Sequence, residues 1–262
     1  MSDLTQPKLS ALLSKRLHKI IKVPSGFPNV QFDWVSEENL RKLERIEASA
    51  PGCWDLPHNR RVHDIVLKAD IPEEAPEITT TVTLDADFDL GPHRFHGVAN
   101  FPGEFEFAAK LSDFALEHFL QSMASASDLL EQIPAFWFRE ADLVFNPATV
   151  AFQFHGWVDQ DWTLPIGVNG LPLTDIELTL TRAAGRPMTA PLQGELRGIL
   201  NIADAKIPVS HMIGEAVSAF TGDVRRLDMN LLIQQLCDGS CGRRIPFLYQ
   251  QQLADTEITV SV

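Results

Sequence analysis

The most suggestive chemistry in this chain belongs to a histidine and two carboxylates between positions 154 and 161. Side chains two apart in a strand share a face, so His155, Asp159 and Asp161 lie on the same side as Trp157. A histidine beside carboxylates can form an acid–base pair or bind a divalent metal. Residues two apart on one strand are separated by roughly 7 Å, so this strand alone cannot close a coordination sphere. A solvated outer face is the simpler interpretation.

A second polar group lies earlier in the chain, where His93 and His96 follow a ladder formed by Asp85, Asp87 and Asp89. The two histidines have opposite parity in a regular strand, which disfavours a shared site. The aspartates lack the looped spacing and the glycine of a dedicated calcium site. We therefore expect a wet sheet face, with no metal and no cofactor. The candidate catalytic residues are His155, Asp159 and His96.

The densest aromatic cluster is Phe136-Trp137-Phe138, which follows a predicted helix. The chain has 16 Phe and 5 Trp but one Tyr, so its rings suit an apolar core or cavity. The cluster can be a core plug, a protein-contact site or the wall of a ligand cavity. Together with Trp157, these three residues are the candidates for binding a ligand or a partner.

Cysteine usage and charge limit the function further. Three cysteines, with Cys237 and Cys241 four apart, match neither a disulfide framework nor common zinc or thioredoxin-like spacings. A net charge of −13 argues against nucleic-acid binding. We find no apolar run long enough for an export signal or a membrane span, and expect a soluble cytoplasmic protein.

The N-terminal stretch differs in charge from the remainder of the chain. Residues 1–22 carry five basic residues against Asp3, a balance of 5 − 1 = +4, which leaves −13 − 4 = −17 for the rest. Apolar residues at helical spacing predict an amphipathic basic helix over 8–21. Such a helix can pack on its own domain, which is the simplest interpretation, or bind a membrane surface or a partner. The asymmetry also permits head-to-tail self-association.

An internal repeat organises the expected fold. The segment 95–101, FHGVANF, returns at 196–202 as LRGILNI and more loosely at 154–159 as FHGWVD. Each copy predicts a strand whose inward face carries the positions of Phe95, Gly97, Ala99 and Phe101, and whose outward face carries a basic or imidazole side chain. The recurring glycine indicates a bulge, a bend or the close approach of another element.

The pattern along the chain predicts the elements that position these residues. A second helix is expected over about 36–48, an irregular stretch over 50–58, and helices near 113–132 and 227–236. Clean alternation of apolar and polar residues predicts antiparallel strands. The predicted strands are 62–71, 78–90, 93–101, 104–110, 141–145, 149–158, 175–182, 194–202 and 255–262.

These expectations combine into an α+β fold, mainly antiparallel β. We predict a duplicated strand-helix-strand unit with sheets curled against helices, preceded by two N-terminal helices. The expected domains are an N-terminal helical segment, 1–58, and a duplicated β-rich domain, 59–262, with halves of about 59–150 and 151–262.

Nucleotide-binding loops, metalloprotease motifs and nucleophile elbows are absent from the sequence. The leading hypothesis is a non-enzymatic binding or assembly protein that offers an apolar or aromatic surface or cavity to a partner protein or a hydrophobic small molecule. A homo-oligomer is compatible with it. The alternative is a motif-poor hydrolase, isomerase or cyclase with a His/Asp acid–base pair in an apolar pocket.

Overall fold

The computed structural model of the chain describes most of the residues between 33 and 261. The described ranges are 33–34, 45–56, 60–70, 81–90, 93–101, 103–123, 134–147, 149, 151–166, 170–187, 190–202, 205–214, 219–228, 231–232, 235 and 252–261.

Antiparallel strands account for nearly all of this structure. They are β1 Asp33–Trp34, β2 Arg45–Leu56, β3 Arg60–Asp70, β4 Thr81–Leu90, β5 His93–Phe101, β6 Phe107–Ala115, β7 Trp137–Phe145, β8 Phe152–Val158, β9 Trp162–Leu164, β10 Leu171–Arg182, β11 Gln193–Ile202, β12 Ala205–Ile213, β13 Ala219–Asp228 and β14 Gln252–Ser261. One helix, α1 Leu116–Met123, lies within the described ranges, and positions 231, 232 and 235 are also helical.

The chain divides into two compact units, the first formed by residues 1–110 and 143–152 and the second by residues 111–142 and 153–262. In unit 1, strands β1 to β6 are hydrogen bonded in chain order. Their inward side chains form an aromatic core with Phe145 of β7, in which the Phe88 ring lies 4.9 Å from Phe107 and 4.7 Å from Phe145 between centroids. Edge-to-face contacts of this kind are favourable for aromatic pairs.

Unit 2 is built around β10 to β14, which also pair in chain order, while β9 pairs with β10. Its core includes α1, whose Phe119 and Leu120 are fully buried. The Phe119 ring lies 4.5 Å from Phe154, and the Leu116 amide donates a 2.8 Å hydrogen bond to the Phe136 carbonyl where the helix begins. The helix therefore covers part of the apolar face of this unit.

The repeated strands have the predicted faces. In β5, Phe95, Gly97, Ala99 and Phe101 are buried and His96 is exposed, and the equivalent residues of β11 are likewise buried around the exposed Arg197. The recurring glycine is explained by the packing of a side chain over it, and not by a helix that crosses the strand. A β-carbon on Gly97, Gly156 or Gly198 would lie 3.1, 2.6 or 2.9 Å from the Phe88, Phe138 or Leu173 side chain. A large apolar side chain of another strand thus covers each glycine.

Three aspartates adopt left-handed backbone conformations inside strands. The φ angles are 46° at Asp64, 53° at Asp113 and 49° at Asp175. The pairing register shifts around Asp64 and again around Asp175, as it does at a β-bulge. Each aspartate is followed by a buried Ile or Phe and, two residues later, by a buried Leu, namely Asp64-Ile-Val-Leu, Asp113-Phe-Ala-Leu and Asp175-Ile-Glu-Leu. The irregular backbone at the aspartate shifts the inward and outward alternation of the side chains, so that both apolar residues face the core.

The α+β prediction with two N-terminal helices and strand-helix-strand units is wrong, because the fold is nearly all antiparallel sheet with one short helix in its described part. The helix predicted over 36–48 is replaced by strand from Arg45 onward, and β2 continues through the stretch 50–56 that was expected to be irregular. Ala48 and Ala50 are buried, with a half-buried Ser49 between them. Pairing with β3 therefore replaces the predicted helix over 45–48, while 36–44 lie outside the described residues.

The other helical predictions fare differently. The first N-terminal helix, at 8–21, lies outside the described residues. Of the helix predicted over 113–132, the structure has α1 at 116–123, while 124–133 lie outside the described residues. The one predicted near 227–236 overlaps the end of β13 and the helical residues at 231, 232 and 235. The duplicated architecture and the domain boundaries remain predictions. No helix among the described residues is long and apolar enough to cross a membrane.

Candidate functional site

The outward face of strands β8, β10, β11, β12 and β13 in unit 2 carries the richest set of polar side chains around a depression, and we call it the β8–β13 face. Alternation along β11 directs Glu195 and Arg197 outward, while Leu196 and Gly198 face the core. The residues of this face that the argument uses are His155, Trp157, Glu177, Glu195, Arg197, Ser210, Thr221 and Asp223.

A cross-strand row runs over this face. Glu177 pairs with Arg197 in the register of β10 and β11, Arg197 with Ser210, and Ser210 with Thr221. Directly opposite residues in antiparallel strands have β-carbons about 4.5–5.5 Å apart, so their side chains interact. His155 joins the row from β8, with its Nε2 atom 3.5 Å from a Glu177 carboxylate oxygen.

Arg197 is the central cation of the row. Its Nη2 atom lies 2.7 Å from Oε2 of Glu195. The hydrogen bond to Glu195, the charge of that carboxylate and the charge of Glu177 together raise the pKa of Arg197 above its ordinary value. The guanidinium is therefore held by carboxylates of its own face.

Next to this row lies an open depression of about 480 Å³. It is lined by Glu195, Arg197, Gly198, Pro208, Val209, Ser210, Thr221, Gly222 and Asp223. Its volume falls within the range of small-ligand and peptide-side-chain pockets, about 300–1,000 Å³. The side chains at its rim are two carboxylates, two hydroxyls and one guanidinium, so the depression suits polar and cationic groups.

The depression coincides with an irregular seam between strands. Within the described residues, β12 and β13 share one registered pair, Ser210 with Thr221, whereas β11 and β12 share nine and β13 and β14 share nine. Pro208 has no amide hydrogen to donate. A β-carbon on Gly222 would lie 2.6 Å from the Pro208 carbonyl oxygen, so glycine permits the close approach. The register of β12 and β13 is thus less regular than that of the strand pairs on either side.

Asp223 differs from the other carboxylates of the face. It is exposed at the rim of the depression, and in the part of the chain that the structure describes it makes no ion pair. Glu195 and Glu177, in contrast, both interact with Arg197. Counting the rim residues Glu195, Arg197 and Asp223, the depression carries one negative charge in excess.

The predicted catalytic residues each have their own contacts within their unit. His155 contacts Glu177, and its ring centroid lies 4.4 Å from that of Trp157 with the two ring planes tilted by 45°. Asp159 is exposed, and its amide donates a 3.0 Å hydrogen bond to the Trp137 carbonyl. His96 belongs to unit 1, where its Nδ1 atom lies 3.0 Å from Asp87. Each histidine is thus paired with a carboxylate of another strand.

Each aspartate of β4 (Asp85, Asp87 and Asp89) contacts a basic side chain of one of the two neighbouring strands. The Lys68 amine lies 2.5 Å from Asp85, and Asp87 contacts His96. Asp89 accepts contacts from the largely buried His63 at 2.8 Å and from Arg94 at 3.4 Å. His93, which is exposed, pairs in register with Leu90. Among the described residues, no group of three or more His, Cys, Asp or Glu side chains is arranged to hold a metal ion.

The predicted aromatic binding residues separate into core and surface. Phe136 and Phe138 are fully buried, with the Phe138 ring 5.2 Å from Phe154. Trp137, between them in sequence, points outward and is 43% exposed. Trp157 lies partly exposed on the β8–β13 face. Cys53 is an exposed free cysteine, and Cys237 and Cys241 lie outside the described residues.

Sequence reasoning missed Glu177, Glu195, Ser210, Thr221 and Asp223. One signal was present: the outward position of each repeat carries His96, His155 or Arg197, and in the structure all three face a carboxylate. The partners themselves depend on strand register, which a single strand does not reveal.

Comparison of the chain with protein-family models, with curated proteins and with solved structures found no match.

Proposed function

We propose that this chain is a non-enzymatic binding protein whose β8–β13 face recognises a basic segment of a partner polypeptide. The observation that carries this proposal is the depression of about 480 Å³ in which Asp223 has no ion-pair partner among the described residues, beside the Glu195–Arg197 pair. A lysine or arginine of the partner would pair with Asp223, since oppositely charged groups attract most strongly where they are partly desolvated.

A polypeptide suits this face better than a hydrophobic small molecule. The depression is bordered by charged and hydroxyl groups, and the predicted aromatic cavity walls Phe136 and Phe138 are packed in the core. A peptide can present basic side chains to the carboxylates of Glu195 and Asp223 and backbone amides to the hydroxyls of Ser210 and Thr221.

Binding also suits the face better than acid–base catalysis. The side chains of His155 and Glu177 are 41% and 42% exposed, on an open surface. General acid–base catalysis gains from enclosure, which strengthens charge interactions by excluding water. An open row of paired charges instead gives specificity to the docking of a partner.

The proposal is tested by fluorescence anisotropy with two defined probes, a labelled peptide of alternating Gly and Lys and a matched peptide of alternating Gly and Glu. We expect the Lys probe to bind and the Glu probe not to bind, with affinity falling as salt screens the charges. Replacing Asp223→Asn should weaken binding of the Lys probe by roughly threefold to tenfold, since exposed charge pairs contribute about 0.2–1 kcal/mol and partly buried ones more.

The matched control is Asp161→Asn, which removes the same charge from an exposed position that does not line the depression. It should leave binding within about twofold of the wild type, because screening limits the effect of a distant surface charge. Equal losses in the two variants would mean that the probe responds only to net charge, and the proposed site would be wrong.

A further inference from the structure

We infer that the basic segment recognised by this face is residues 8–22 of a second copy of the same chain, so that copies associate head to tail. The inference rests on the function proposed above. The segment carries Lys8, Lys15, Arg16, Lys19 and Lys22 and no acidic residue. The charged residues that line the depression are Glu195 and Asp223 against Arg197, so the acceptor carries an excess of negative charge that complements the basic segment.

The apolar character of the two surfaces also matches. The segment places leucines and isoleucines at helical spacing between its basic residues. The β8–β13 face presents apolar side chains beside its carboxylates: Ile199 and Pro208 are directly opposite each other, and Met212 is 46% exposed. An amphipathic basic segment can therefore bury its apolar stripe on this face while its charges meet Asp223 and Glu195.

Contacts of this kind are heterologous, because the donor segment and the acceptor face are different surfaces. Each assembly of copies then leaves one unused segment at one end and one unused face at the other, and it grows until a ring closes or continues as a filament. A chain that lacks either the segment or the face should not form such assemblies with its own copies. A mixture of chains that lack the segment with chains that lack the face should form dimers and nothing larger.

The experiment is sedimentation velocity on the full chain over a wide range of protein concentration, at low and at high salt. The donor variant carries the charge-neutralising changes Lys15→Gln, Arg16→Gln and Lys19→Gln, and the acceptor variant carries Asp223→Lys. We expect the wild type to form larger species with rising concentration and to dissociate in high salt. Each variant alone should be monomeric, with a dissociation constant raised by at least roughly tenfold.

An equimolar mixture of the two variants is the decisive sample, because one intact segment and one intact face remain. It should form heterodimers and nothing larger. Circular dichroism and thermal melting of each variant, matched to the wild type, show that lost assembly is not lost folding.

A wild type that stays monomeric at all concentrations would overturn the inference, as would a mixture that fails to form dimers. Docking of the segment within its own chain gives that monomeric result. The outcome is separable from the proposed function: Asp223-dependent binding of the Lys probe by a monomeric chain retains the function and rejects the second copy as partner. Assembly that persists in the acceptor variant rejects this face as the acceptor.

Discussion

At the scale of single residues, the glycine of each repeated strand is explained by what lies over it. At Gly156 a β-carbon would lie 2.6 Å from the Phe138 ring and 2.7 Å from the Phe154 ring. Both rings are buried and packed, so neither has room to move. Gly156→Ala should therefore lower the free energy of unfolding by about 1–3 kcal/mol through overpacking, as measured by urea denaturation.

Gly97→Ala is a milder version of the same test. The added β-carbon would lie 3.1 Å from its nearest neighbour, an atom of the Phe88 ring. A shift of a few tenths of an ångström relieves this contact, and alanine removes the entropic cost of glycine in a strand. We expect a loss well below that of Gly156→Ala. A larger loss at Gly97 would show that side-chain cover is not what selects glycine in these strands.

Two neighbouring arginines give a second test at this scale. Arg60 is buried, donates a 2.7 Å hydrogen bond to the Pro147 carbonyl, and burial lowers its pKa to about 10. Arg61 forms an exposed pair with Asp55. Arg60→Ala should cost about 2–4 kcal/mol of unfolding free energy because it removes packing and leaves a buried carbonyl without this donor.

Arg61→Ala serves as the matched control and should cost less than about 0.5 kcal/mol, because exposed ion pairs contribute little. The two values come from the same denaturation experiment on adjacent positions of β3. Similar costs would contradict the assigned roles of these side chains.

At the scale of the element, the bulges determine which residues of a strand face the core. Asp175 has a φ of 49°, a region that a β-branched residue hardly adopts. Asp175→Val should cost about 1–3 kcal/mol of unfolding free energy, while Asp175→Gly should stay within about 1 kcal/mol of the wild type. Thr179→Val, at an exposed position of the same strand, is the control and should change stability by less than about 0.5 kcal/mol.

A loss with Asp175→Val no greater than that of Thr179→Val would mean that the bulge is not needed in solution. The same comparison applies to Asp113, whose φ is 53°. Asp64 requires separate treatment, because its carboxylate also accepts a 3.2 Å hydrogen bond from the Gly52 amide. Its replacement by glycine removes that bond as well as the strain.

Strands with uninterrupted alternation of large apolar and polar residues, such as β4 and β5, are readily predicted from the sequence. β2, β12 and β13 escaped prediction for physical reasons. β2 buries small alanines and carries Pro51 and Gly52, β12 contains Pro208, and β13 contains Gly222. These residues weaken local strand preference, so hydrogen bonding to the neighbouring strands decides the structure.

The candidate site follows the same rule. Alternation correctly placed His96 and Arg197 outward, and His155 is partly exposed. It paired His155 with Asp159 on its own strand, whereas the structure brings it to Glu177 on another. Side chains of neighbouring strands come closer than side chains two apart on one strand. Register is a tertiary property, and one sequence does not specify it.

At the scale of the whole molecule, strand order bears on how the chain folds. In each unit the strands pair in chain order, so most pairings form between neighbours in sequence. Pairing strands that are neighbours in sequence closes only short loops, so little chain entropy is lost. Such pairings do not by themselves make folding slow. The slow step should come instead from the 17 prolines of the chain. Their isomerisation takes tens of seconds to minutes at 25 °C.

We predict that refolding after long unfolding, followed by Trp fluorescence, contains a dominant phase of tens of seconds or longer. With about 10% cis at each X–Pro bond, roughly one unfolded molecule in six keeps all 17 prolines trans. A double-jump experiment that unfolds the chain briefly, before the prolines isomerise, should lose most of this phase, and added prolyl isomerase should accelerate it. A slow phase that neither treatment changes would mean that strand pairing, and not proline isomerisation, limits the rate of refolding.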